Sequence, residues 1–197
     1  MGSFFGLYSK TEEVPYSVVE TVHNLEIRQY QNRLVIETLV RSSRLTETEG
    51  FHTLASFIFG KNKEHKKIAM TSPVEVREND RCAAGSGPGD ALLGKLGSSG
   101  MIMRFNLPQD LKEDEIPTPL DVNINISKAD VQLIAVVRFT GAWDESAFQE
   151  RAQGLLADLQ TTMYRQIGPI SSFRYDPPWT LTCFRRNEIA VPVLLID

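Results

Sequence analysis

The chain has 197 residues, 42% of them hydrophobic and 23% charged, enough to bury one core and ordinary for a globular protein. A formal net charge of -4 supplies no attraction for nucleic acid or an anionic membrane, and no run approaches the ~18 apolar residues that a spanning helix needs. The 2 cysteines, Cys82 and Cys183, show no metal-ligand spacing, so unpaired thiols in a reducing compartment are expected.

Residues 1–14 read as an N-terminal tail. Met1-Gly2-Ser3-Phe4-Phe5-Gly6-Leu7-Tyr8 lacks the basic region and apolar core of a secretory signal and is not Arg-rich like a transit peptide. Gly6 stands where a myristoylation pattern asks for Ser or Thr. A cytoplasmic protein is expected, with plastid association as the alternative. Tyr16–Val22, Leu25–Tyr30 and Arg33–Arg41 then have strand character, rich in β-branched residues. A helix is predicted over Glu47–Phe59, with Thr46 and Glu49 as a capping box and Gly60 as its stop. A strand follows over Lys67–Arg77. Residues 78–100, crowded with Gly, Ser and Asp, read as a flexible loop.

The second half repeats the order. Met101–Leu107, Val122–Ser127 and Val131–Thr140 read as strands. Asp144 is placed to cap a helix whose Phe148, Leu155, Leu156, Leu159 and Met163 share one stripe, closed by Gly168-Pro169. Strands are predicted at Ser172–Tyr175, Leu181–Arg185 and Glu188–Val193. Two β-rich units, each with one helix, argue for a single α+β domain with helices on an antiparallel sheet or open barrel. Arg185-Arg186-Asn187-Glu188 and Glu26-x-Arg28 are expected to supply ion pairs and turn bonds that lock strand ends.

On a helical wheel Phe51, Leu54, Phe57 and Ile58 form one arc of the first helix, which must face the sheet. Thr48, His52, Ala55, Ser56 and Phe59 cluster about 130° away on the outer face. An aromatic and the helix's one His on an outward face invite a flat hydrophobic ligand.

Four islands recur in one order along the chain. They are Leu25-Glu26-Ile27-Arg28-Gln29-Tyr30; Gly50 to Asn62 with Lys67 to Val74; Pro117-Thr118-Pro119-Leu120 with Phe139-Thr140-Gly141; and Tyr175-Asp176-Pro177-Pro178-Trp179 with Arg186-Asn187-Glu188-Ile189. The ordered set resembles the SOUL haem-binding protein family, and Phe5-Gly6 with the Pro-Pro-Trp-Thr-Leu run resembles its plant and green-algal members. The resemblance implies a pseudo-two-fold repeat, a distorted antiparallel β-barrel flanked by two helices, and a tetrapyrrole in a shallow apolar cleft on the outer face of the first helix. The cleft's roof would be Asp176–Thr180. Candidate ligand contacts are then Thr48, His52, Ala55, Ser56, Phe59, Lys61, Pro178, Trp179 and Thr180. Trp179 could stack on a porphyrin; the plainer reading of Phe59 and Trp179 is packing beneath the loop.

Animal members of the family pair basic residues with the haem propionates. The matching positions here are Thr48, Ser56 and Thr180, all uncharged. Each lost charge-assisted hydrogen bond is worth roughly 1.5–3 kcal/mol. Lys61, Lys63 and Lys66, just beyond the helix, are candidate replacements, and a less charged tetrapyrrole is the alternative. One animal branch has been assigned an axial His in the Glu-Ile-Arg-x-Tyr island; Gln29 stands there, a poor iron ligand. Of the 3 histidines, His52 is the candidate metal ligand, against the bland reading of a surface residue. His65 lies in the Lys-rich turn, and His23 reads as a turn residue. No phosphate loop, nucleophile elbow or paired catalytic carboxylates stand out. The expected function is a non-catalytic carrier, buffer or sensor of haem or a related tetrapyrrole. A haem-degrading enzyme and a protein-interaction module that has lost its ligand are the alternatives. Protein partners are not legible.

Overall fold

The computed structural model describes residues 11–41, 44–79, 100–141, 145–176 and 180–196. The predicted Asp144 cap, the loop residues 80–99 with Cys82, and tail residues 1–10 lie outside them. The strands are β1 (Glu12–Glu13), β2 (Tyr16–Val22), β3 (Leu25–Tyr30), β4 (Arg33–Arg41), β5 (Thr71–Ser72), β6 (Val74–Glu78), β7 (Gly100–Asn106), β8 (Asn125–Ala129), β9 (Gln132–Thr140), β10 (Tyr164–Gln166), β11 (Ser171–Arg174) and β12 (Arg186–Leu195). Among the described residues there are also two α-helices, α1 (Arg44–Ile58) and α2 (Glu145–Leu159).

The fold is α+β, with a large antiparallel sheet in the order β2-β3-β9-β12-β11-β6-β7-β4-β8. The long β12 pairs with β11 along its first half and with β10 along its last. No pairing among the described residues joins β2 to β8, so the ladder observed is open. β1 and β5 form a separate parallel pair, which ties the end of the expected tail to the body.

Register decides which face each side chain takes. Val76 stands opposite Ser172 and Met103, Ser172 opposite Ile189, and Ile189 opposite Val137. This row faces the helices. Leu54, Phe57 and Ile58 of α1 bury against Ile36, Met103 and Phe105, while Leu155 and Leu159 of α2 bury against Ile27, Ala135 and Val191. Burying each such side chain contributes about 1.5–3 kcal/mol. α1 approaches β4 so closely that a Cβ on Gly50 would collide with Val40 Cγ1.

The other face of the sheet carries charge. Glu188, fully buried at 0% exposure, accepts from Arg28 Nη1 at 2.7 Å and Nη2 at 3.1 Å, from Arg186 Nη2 at 2.8 Å, and from the Tyr175 hydroxyl at 2.8 Å. Arg28 also donates to Glu26 at 2.7 Å and lies 4.2 Å over the Tyr16 ring. Arg186 reaches Glu13 at 2.8 Å and covers Tyr175 at 3.7 Å. The expected pairs Glu26–Arg28 and Arg186–Glu188 form within β3 and β12; the Arg28–Glu188 pair, which was not expected, joins the two strands across β9.

Several predicted boundaries move. α1 begins at Arg44, so Thr46 stands inside the first turn, not at the N-cap. The strand predicted over Lys67–Arg77 is two strands about Pro73, because Ile68 N bonds back to Ile58 O at 2.7 Å. The strand predicted at Val122–Ser127 starts at Asn125, since Asp121 accepts the Asn123 amide at 2.9 Å and holds a turn. Leu181–Arg185 is a 3-10 turn over Thr182–Phe184, closed by Phe184 N to Leu181 O at 2.9 Å. Its Cys183 is exposed, with a free thiol. α2 ends at Leu159, ahead of Gly168-Pro169, where Thr162 Oγ1 bonds Leu159 O at 2.7 Å and β10 intervenes. Met163 therefore leaves the helical stripe and is 63% exposed. His23 does occupy a turn, with φ 53° between β2 and β3.

Burial alone would raise the Glu188 carboxyl, but Arg28 and Arg186 overcome it and hold it below the usual carboxylate range. Its contribution is thus present above the unfolded value, about 4.3, and is lost as pH falls through the lower folded value. Glu188→Gln should cost about 3–5 kcal/mol in urea unfolding at pH 7 and reduce the acid-side slope of stability. An unchanged slope would assign acid sensitivity to other carboxylates.

Candidate functional site

The outer face of α1 is set by how the helix ends. Gly60, at φ 106°, takes the left-handed position that favours glycine. Gly60 N bonds Phe57 O at 3.1 Å and Lys61 N bonds Ser56 O at 2.9 Å, the paired bonds of a Schellman stop. Asn62, with 0% exposure, then ties the turn together. Its Nδ2 donates to Phe57 O at 2.9 Å and Lys66 O at 2.7 Å, and its Oδ1 accepts from Lys66 N at 2.9 Å. Thr118 joins the same turn: its carbonyl accepts from Lys63 N at 3.0 Å, and its amide and hydroxyl bond Glu64 at 2.8 and 2.9 Å. Those bonds, the Thr118 amide foremost, hold the Glu64 carboxyl below its usual range.

On this fixed frame His52 is exposed, Ser56 is half-buried and Phe59 is 59% exposed. Their i, i+4, i+7 spacing puts them on one stripe. Thr48 continues it toward the N-terminus and is exposed. Ala55 does not join them. It is 5% exposed and belongs to the core cluster of α1, because a methyl group beside Phe51 is small enough to tuck against the sheet. Phe51 itself turns inward, with its ring 5.4 Å from that of Phe105.

Lys61 is exposed beyond the stripe, and so is Lys63. Lys66 is committed elsewhere, donating its Nζ to Glu115 O at 2.7 Å. Pro178 and Trp179, with Pro177, lie outside the described residues. Thr180 is half-buried, and its carbonyl accepts from Arg185 Nε at 2.8 Å. Asp176, at the other end of the segment, accepts the Arg186 amide at 2.6 Å. Arg174 Nη1 pairs with Glu47 Oε2 at 3.0 Å, which joins β11 to the first turn of α1. Sequence reasoning missed the roles of Asn62 and Arg174. For Asn62 the available signal was its place two residues after the stopping glycine; Arg174 gave none, because its partner Glu47 is remote in the chain.

The SOUL heme-binding protein family matches residues 11–192, nearly the whole chain. The protein belongs to that family. No curated protein matches this SOUL chain. Its fold is similar to that of the EcmrR C-terminal domain, with TM-score 0.62 and 10% identity over 92% of this chain and 99% of that one. It is also similar to EcmrR in a cryo-EM structure of an EcmrR-DNA complex, with TM-score 0.60 and 11% identity over 87% of this chain and 57% of that one. A hydrolase from Listeria innocua matches with TM-score 0.55 and 8% identity over 89% and 94%. At such identities the likeness concerns the fold alone. Among the described residues of the SOUL chain, no helix is long and apolar enough to cross a membrane.

Gly60→Ala should cost about 1–2 kcal/mol, since a side chain disfavours the left-handed region. Asn62→Ala removes three hydrogen bonds, one buried and two part-buried, and should cost about 2–3 kcal/mol in chemical denaturation. Hydrogen exchange at Lys61 and Lys66 should accelerate in Asn62→Ala; unchanged protection would show that the turn holds without its asparagine.

Proposed function

We propose that this SOUL protein binds haem or a related tetrapyrrole in a shallow apolar cleft on the outer face of α1, as a carrier, buffer or sensor. The observation that carries the reading is Phe59: a large aromatic held 59% exposed by a rigid helix stop, on one stripe with His52 and Ser56. Family membership supports the ligand class. In this reading Phe59 offers its ring to a flat macrocycle, with Trp179 and Pro178 as the roof, and the His52 imidazole is the candidate axial donor. Bound haem would supply a redox-active iron; the protein's part is to hold and orient it. The pseudo-two-fold relation of the halves belongs to the same proposal, supported by the like ladders β4-β7-β6 and β9-β12-β11.

Charge distinguishes this chain from its animal relatives. With Thr48, Ser56 and Thr180 neutral and Lys66 engaged, Lys61 and Lys63 are exposed cations just beyond the stripe. Each exposed pair with a propionate would contribute about 0.2–1 kcal/mol. Affinity should therefore rest mainly on apolar contact.

Hemin titration followed by the Soret band tests the reading. Phe59→Ala should weaken binding about tenfold, the loss of ~1.4 kcal/mol of ring contact. An unchanged affinity would remove α1 from the site. His52→Ala should shift the ferric spectrum toward high spin; an unaltered spectrum would exclude His52 as a ligand.

Raising salt should change affinity little, and Ser56→Lys should tighten binding of dicarboxylic porphyrins but not of their dimethyl esters. Equal effects on acid and ester would place the propionates away from this face.

A further inference from the structure

A loop from the second half of the chain, residues 117–124, abuts the exit of α1. Asn62 bridges Pro119 in antiparallel register, and Lys63 N donates to Thr118 O at 3.0 Å. Glu64 clamps the loop by accepting from the Thr118 amide at 2.8 Å and from its hydroxyl at 2.9 Å. Farther along, Asp121 accepts the Asn123 amide at 2.9 Å, and Ile124 N bonds Asp121 O at 3.2 Å. Leu120 therefore sits between two hydrogen-bonded anchors.

The register decides where Leu120 points. Side chains on paired extended segments alternate, and residues directly opposite face the same way, with Cβ atoms about 4.5–5.5 Å apart. Asn62 points inward, at 0% exposure. Its neighbours Lys61 and Lys63 then point outward, and the register continued from Asn62 and Pro119 sets Leu120 opposite Lys61 and Thr118 opposite Lys63. All four are exposed, as the alternation requires. A lone exposed leucine is ordinary. Leu120, 55% exposed, instead adjoins the outer stripe of α1. Lys61 makes the join: its amide bonds Ser56 O at 2.9 Å, and in such a helix stop the residue after the left-handed glycine lies back over the last turn. Ser56 is thus on one side of Lys61 and Leu120 on the other.

We propose that Leu120 is a further contact residue of the tetrapyrrole site, so that the macrocycle rests on two elements, the stripe of α1 and the loop 117–124, with Lys61 at the seam. The inference rests on the helix-face reading and adds a second wall to it. The face of a single helix is convex, whereas ligand sites are concave; a loop standing beside the helix supplies the missing side. Phe59 and Leu120 offer hydrocarbon to the ring. The Lys61 stem fills the space between them, and its ammonium stays in water at the edge, where a propionate can meet it.

The test combines hemin titration with methyl NMR of the full chain saturated with zinc protoporphyrin IX, which is diamagnetic. The Leu120 methyl groups should move upfield in the ring current of the bound macrocycle, a shift that a merely structural leucine would not show. Leu120→Ala should weaken hemin about fivefold, and Leu120→Asp, which sets a carboxylate beside the propionates, about tenfold or more. Leu120 is exposed, so urea unfolding of both variants should match that of the wild type, and the NMR readout needs neither variant. Leu120 methyl groups that stay in place, or hemin affinity unchanged in both variants, would overturn the inference; if Phe59→Ala still weakens hemin, the helix-face reading stands without it. A wild-type chain that gives no Soret change would overturn the helix-face reading itself, and the inference with it.

Discussion

One carboxylate organises the chain. Glu188 has 0% exposure, and an ion that deep is tolerable only if every oxygen is served. Two guanidiniums and a phenol serve it, from positions as remote in sequence as Arg28, 160 residues away. Those donors are in turn held. Tyr16 lies under Arg28, Tyr175 under Arg186, and Glu13 anchors Arg186 to β1. The network closes only when β3, β11 and β12 are all in register, so it specifies strand order as much as it adds stability. Burial and the Glu188 charge together push the Tyr175 hydroxyl well above its ordinary range, so it remains a donor at any physiological pH.

The sheet divides the molecule chemically. On one face, alternate residues bury against α1 and α2 and form the apolar core. On the other, charged rows run across strands, Glu37 to Arg104 to Glu75, with Tyr30 and Phe173 packed beside them. The period of two lets one set of strands support both. The helix face leaves α1 with an outward stripe, and on the opposite face Arg33 Nε and Nη1 are buried without an acceptor among the described residues.

The helix exit shows how local chemistry is turned toward function. Gly60 stops α1, Asn62 braces the stop with three bonds, and Ile68 N returns to Ile58 O. An exposed Phe59 on a fraying helix would collapse onto the nearest apolar surface. Held by this turn, it stays 59% exposed beside His52 and Ser56. Preorganisation of that kind would lower the entropy lost on binding the proposed macrocycle.

What the sequence determined by itself was carried by short-range rules. β2, β3 and β4 follow from β-branched runs, the stop at Gly60 from its lack of a side chain, and the inward arc of Leu54, Phe57 and Ile58 from helical period. Family membership was legible from four ordered islands. The tertiary structure decided the rest, because the deciding partners are distant. Ala55 was assigned outward by angle and is buried because the sheet accepts a methyl group there. Leu181–Arg185 has strand composition, yet among the described residues it joins no ladder and closes as a turn. Lys66 counted as a free cation until Glu115 O claimed it, and Arg174 acquired a role only through Glu47. Arg28 and Glu188 read as strand-end charges, because nothing in a linear pattern reveals that two ions 160 residues apart will share one buried site. Periodicity fixes which way a side chain points, but only the packed sheet fixes what it meets.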